Sequence, residues 1–308
     1  MIRPKLHVEK LETYTGHRDA VYTVIPGPDL GSFISGSGDG QVVLWQTKHP
    51  DLGKLVAKMA HSVYALWLDL ERNRLWIGHN FEGIVIINLH EWKVWKTIPL
   101  GSVSIYAIQG NSCHVLIGDG HGRAIQCDAA SGEVLSVWQV SQQRIRSLVL
   151  HPTSDYVWIG SSDHHIRGYN LVDSSLNSDW LAHEGTVFDL AFDSKEKVLY
   201  SVSRDAKIKS WQVSHHPELL QSIPAHMYGI HTASISSDGR WLATGSMDKS
   251  IKIWDLPSCQ LVKVIDKGRF MAHGTSVNAI SWLPGTWEFI SASDDRTLSH
   301  WSIQLLSS

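Results

Sequence analysis

The chain has 308 residues, 43% of them hydrophobic, with 27 basic and 30 acidic side chains for a formal net charge of -3. Such a length admits about two domains and a large core, while the charge balance excludes a global field for nucleic acid or an anionic membrane. Cys113, Cys127 and Cys259 lie far apart without CxxC pairing, which excludes a disulfide framework and a thiolate metal set and fits reduced thiols in a cytoplasmic protein.

In chain order, the opening MIRPKLHVEKLETY holds no apolar run suited to an export leader, and no run of about 18 apolar residues follows it, so no membrane segment is expected. Residues 10–15 read as a strand. The stretch SGSGDGQVVLWQ, residues 35–46, then packs glycines, an acid and a tryptophan together. It belongs to a unit in which His17 precedes an apolar strand, Ser35 stands four residues before Asp39, and Trp45 six after it. The same order returns in His183, Ser201, Asp205 and Trp211, in His226, Thr244, Asp248 and Trp254, and in His273, Ser291, Asp295 and Trp301; each His precedes its Asp by 22 residues.

Three weakened units fill the interval between Trp45 and Trp211. RLWIGHNFEGIVIIN keeps His61 upstream and Glu82 at the acid position, with Asn88 in place of Trp. VLIGDGHGRAIQC has His121 at the acid position and Cys127 at the anchor, and VWIGSSDHHIRGY keeps Asp163 and ends in Tyr169. Seven units at a period of about 42 residues account for the chain as a single repeat domain over residues 1–308.

These residues, with Gly16-His17 and Trp254-Asp255 as the best-preserved pairs, resemble those of the WD-repeat family over essentially the whole chain. The resemblance implies an all-β fold, a seven-bladed β-propeller of four-stranded antiparallel blades. Each unit as written begins with the outer strand of the preceding blade, so residues 10–15 are expected to complete the last blade beside SHWSIQ and close the ring. The residues agree: FISGSGDGQVVLW and WLATGSMDKSIKIW each read as two apolar strands around a polar turn. In a complete unit the Asp is expected to accept from the His ring, the His to reach the Ser or Thr hydroxyl, and that hydroxyl to accept from the Trp indole.

Motifs with chemical overtones take structural readings in this frame. GSGDG and GDGHG are followed by strands, so they offer no helix N-terminus to a phosphate. The triad residue types around His183 and Ser201 lack a GxSxG elbow, and the pairs His164-His165 and His215-His216 read as solvated polar residues rather than metal ligands. No catalytic residue, metal or cofactor is therefore expected. Trp76, Trp158 and Trp241 read as core, whereas Trp92, Trp95 and Trp287 sit where turns or outer strands can expose them.

The family's narrower face is lined by residues near the start of each inner strand and by the residue before the turn acid. Carried over by position, the first set is Tyr22, Tyr64, Tyr106, Arg146, Phe188, His231 and Asn278. Two residues earlier stand Ala20, Ser62, Ser104, Arg144, Thr186, Gly229 and Ser276, and before the acid stand Phe81, Arg204, Met247 and Asp294. Tyr22, Tyr64, Phe81, Tyr106, Arg144, Arg146, Phe188, Arg204, His231, Met247 and Asn278 are the expected partner-binding residues. The partner is expected to be a protein or peptide with an acidic segment facing Arg144, Arg146 and Arg204. The final unit is longer than the others by about four residues, and its loop IDKGRFMAH is expected to project Lys267, Arg269 and Phe270. The expected function is a noncatalytic interaction scaffold, monomeric or within a hetero-complex; the alternative is an enzyme or small-molecule binder using His231 and Tyr106 in the axial channel.

Overall fold

The computed structural model describes residues 5–306, so the reading of the first four residues as lacking a leader lies outside the described residues. Each predicted hairpin is a pair of buried antiparallel strands, because β-branched and aliphatic runs pack on both faces once neighbouring sheets cover them. The first sheet joins Val21–Pro26, Ser32–Ser37, Gln41–Gln46 and His49–Lys58 in that order, and five further sheets repeat the pattern. The last sheet is composite: Val277–Trp282, Glu288–Ser293 and Leu298–Leu305 are completed by Leu6–Tyr14. Leu6 pairs with Leu305 and Tyr14 with Leu298, and the side chains of Leu6, Val8 and Tyr14 are buried. The fold is the expected seven-bladed propeller, closed by its N-terminal strand.

The core lies between blades rather than at one centre. Ile34, Val42 and Leu44 of the first blade pack against Val63, Leu66, Leu75 and Ile77 of the second, and Trp76, Trp158 and Trp241 are buried as predicted. The glycines of the two suspect loops serve this packing. A Cβ on Gly36 would lie 2.6 Å from Cγ1 of Val63, and one on Gly118 would lie 2.4 Å from Cγ2 of Ile145, so the next blade's first inner residue occupies that space. Gly40 and Gly122 each take a φ of 77°, the left-handed turn conformation that glycine adopts without a Cβ penalty.

Candidate functional site

Fasteners in the complete and the weakened units

In the fifth blade the Trp211 indole donates to the Ser201 hydroxyl over 2.9 Å, that hydroxyl lies 2.8 Å from Nε2 of His183, and Nδ1 lies 2.8 Å from Asp205. Because a carboxylate only accepts, the imidazole carries its proton on Nδ1 and accepts the hydroxyl proton on Nε2. The sixth and seventh blades match, with His–Asp contacts of 2.9 and 3.0 Å. In the first blade the corresponding distance stretches to 3.4 Å. Each acid also accepts two backbone N–H groups, those of Glu184 and Lys207 in the case of Asp205, which ties the turn to the loop of the preceding blade. Burial opposes ionisation of Asp205, but bonds from His183 and those amides prevail and hold its pKa at about 2. Burial pushes the His183 and His226 imidazoles below their usual range, against the opposing pull of their carboxylates.

The weakened units depart from the positions assigned to them. His61 is exposed and meets the Phe81 ring edge-on at 5.2 Å instead of joining a quartet; the buried imidazole of that blade is His79, 4.0 Å from Glu82. In the third blade the working acid is Asp119, two residues before His121: it is buried, accepts from the amides of His121 and Arg123, and pairs with Arg123 Nε at 2.7 Å. In the fourth, Asp163 stays at its position but bonds Ser141, Ser161 and Arg167. Burial raises the Asp163 carboxyl, yet these donors hold it at about 2. His165 is not a free solvated ring, since its Nδ1 lies 2.6 Å from Asp179. Among the described residues no group of three or more His, Cys, Asp or Glu is placed to hold a metal ion.

A ring of bulged residues around the axis

Every inner strand carries a register shift at its start, between Val21 and Thr23 in the first blade and between Ile105 and Ala107 in the third. The residue skipped in each case is Tyr22, Tyr64, Tyr106, Arg146, Phe188, His231 or Asn278. A bulge leaves the extra residue unpaired and re-aims its side chain, and all seven point into one axial cavity of about 580 Å³. They touch in sequence around it. Ring centroids of Tyr22 and Tyr64 are 4.6 Å apart, those of Tyr64 and Tyr106 5.3 Å. The Arg146 guanidinium lies 4.3 Å from the Tyr106 ring and 5.3 Å from that of Phe188, which meets His231 edge-on at 5.0 Å. His231 reaches Asn278 at 3.3 Å, and Asn278 closes the circle by donating to the carbonyl of Val21. Burial and the neighbouring Tyr64, Asp19 and Asp294 push the Tyr22 phenol up to about 12, and burial lowers the His231 imidazole.

Phe81, Arg144, Arg204 and Met247 of the expected binding set are not among the residues that line this channel. Phe81 is 50% exposed and Met247 44%, while Arg144 and Arg204 are exposed and make no ion pair among the described residues. Sequence reasoning missed Met227 and Tyr228, which are 82% and 64% exposed in the loop after the His226 anchor. A Cβ on Gly229, the next residue, would lie 3.2 Å from Cα of Arg204 and 3.3 Å from the Met247 sulfur, so these five residues form one patch across the fifth and sixth blades. Their signal was two large apolar side chains in a loop, directly behind a structural histidine.

The long final loop differs from its expectation. Lys267–Phe270 forms one helical turn, capped by Asp266, which accepts from the Arg269 amide and pairs with its guanidinium at 2.6 Å. Phe270 is half-buried against the last blade's core with Lys263 over its ring, so it does not project; the exposed apolar residue there is Met271.

Comparison with known proteins supports the same architecture. The family description "WD domain, G-beta repeat" matches residues 8–46, 174–212, 217–255 and 265–302, the four stretches that carry all four quartet residues. Apoptotic protease-activating factor 1 of Rattus norvegicus is 23% identical over 92% of this chain and 26% of its own length. Actin-interacting protein 1 of Caenorhabditis elegans is 26% identical over 51% of this chain and 26% of its own length. The chain thus spans about a quarter of these curated relatives. The WD40 β-propeller domain of Doa1 superposes with a TM-score of 0.83 over 96% of this chain and 97% of that domain at 19% identity, a likeness of fold. Four matched repeats within seven like blades place the chain in the WD-repeat family.

Proposed function

We propose that this chain is a noncatalytic protein-interaction module that captures a segment of a partner protein on the face carrying the His anchors and acid turns. One observation carries the reading: that face gathers Met227, Tyr228, Met247 and Arg204 into an exposed apolar and cationic patch. Aromatic, methionine and arginine side chains are the types enriched at binding interfaces. Exposed large apolar residues on the opposite face, Leu30, Leu70 and Val172, come from separate blades. Propellers of this family are generally interaction scaffolds, and a partner segment with acidic residues suits the unpaired arginines. No helix among the described residues is long and apolar enough to cross a membrane, and we place the module in the cytoplasm on its unpaired thiols.

Affinity capture with tagged protein tests this. A Met227→Ala/Tyr228→Ala/Arg204→Ala variant is expected to lose the proteins that wild type retains, while Leu30→Ala/Val172→Ala keeps them, both melting like wild type. Equal capture by both variants would refute the assignment of the face.

A further inference from the structure

We infer that the axial channel contains an anion site centred on Arg146 that takes a single carboxylate. Arg146 is the lone cation among the seven bulged residues, and its guanidinium is wedged between the Tyr106 and Phe188 rings. Those π faces attract the charge but accept none of its in-plane N–H donors well. The Nε–H is buried without an acceptor, and no carboxylate lies within 4.0 Å of the group among the described residues. Such a group exacts a desolvation cost that a bound anion would offset.

The channel's own acids are committed elsewhere. Asp189 accepts from the amides of Leu190 and Ala233 at 2.9 and 3.0 Å, and Asp294 from the Asn278 amide at 2.8 Å. Neither pairs directly with Arg146, which has no carboxylate within 4.0 Å among the described residues. The surrounding cavity of about 580 Å³ has room for a ligand, and Arg146 is the one lysine or arginine among the residues that line it. The planar fork of the Arg146 guanidinium matches the two oxygens of a carboxylate. Free small carboxylates and the acidic side chain of a captured segment share this chemistry. The site itself does not depend on capture by the outer face, since a free carboxylate can enter without a protein partner.

The test follows the side-chain Nε–Hε resonance of Arg146 in ¹⁵N-labelled full-length protein, assigned by its loss in Arg146→Lys or, should that variant not fold, Arg146→Gln. Sodium acetate is titrated at constant ionic strength against sodium chloride. A saturable shift with acetate and none with chloride is expected. A shift that is linear, or equal in the two salts, overturns the site, and tighter saturation by inorganic phosphate than by acetate overturns the carboxylate assignment. The capped peptide acetyl-Gly-Asp-Gly-amide identifies the source: saturation at a concentration at least about tenfold below that of acetate marks a segment side chain, and equal saturation a free carboxylate, both with the site intact.

Discussion

The fifth blade and the second differ in how they hold their turns. In the fifth, His183, Ser201, Asp205 and Trp211 form one continuous bonded chain. In the second, Glu82 is exposed, His79 stands 4.0 Å from it, and the Nδ1 of His79 and the indole of Trp76 lack partners. Both blades nonetheless have the same four strands and the same bulge at the start of the inner one. The difference teaches that the blade is made by packing on its neighbours, whereas the quartet rigidifies a turn already formed. The fourth blade sharpens the point by fastening its turn with an Asp163–Arg167 pair at 2.8 Å in place of an imidazole.

The comparison can be broken first by removing acids. Asp205→Ala strands the His183 ring N–H and two amides, and is expected to cost about 1–3 kcal/mol in denaturant unfolding. A loss no greater than that of an ordinary surface substitution would show the quartet to be decorative. Acid titration gives a smaller effect. The folded His183 and His226 stay neutral where an unfolded imidazole takes up a proton, so stability is expected to fall as pH drops below about 6.5. The depressed carboxylates, Asp163 and Asp205, contribute fully only above about pH 4 and lose that contribution toward about 2. The melting temperature between pH 7 and 5 should therefore depend less on pH in His183→Gln than in wild type, and equal slopes would count against buried neutral imidazoles. The smallest effect is expected from Glu82→Ala, within about 0.5 kcal/mol of wild type; a loss matching that of Asp205→Ala would erase the distinction between the blades.

The sequence made the four quartets legible because their members keep fixed separations, and three of them close fully, while in the first the Nδ1 of His17 lies 3.4 Å from Asp39 without a hydrogen-bond partner. The family resemblance, carried over by position, picked out the seven channel residues, and the structure gives them a common bulge at the start of every inner strand. The substitutions in the weakened blades were hidden because the replacement donors come from other positions. Asp119 works two residues from the expected acid, and Arg167 reaches Ser161 at 3.1 Å from a different strand position than the Trp anchor. One clue was available: Ser141 precedes Asp163 by the same 22 residues that separate each anchor His from its Asp. Contacts that run around the axis, such as Arg146 between Tyr106 and Phe188, join residues about 40 apart and follow from ring closure rather than from any local pattern. Met227 and Tyr228 escaped because attention to strand register passes over loops.

Hydrogen exchange of the protein with and without a partner recovered by capture tests the central claim most directly. Recognition at the anchor face requires slowed exchange in the loops around Arg204, residues 227–229 and Met247, with the hairpin ends at Leu30, Leu70 and Val172 unchanged. Protection confined to those opposite ends would contradict it.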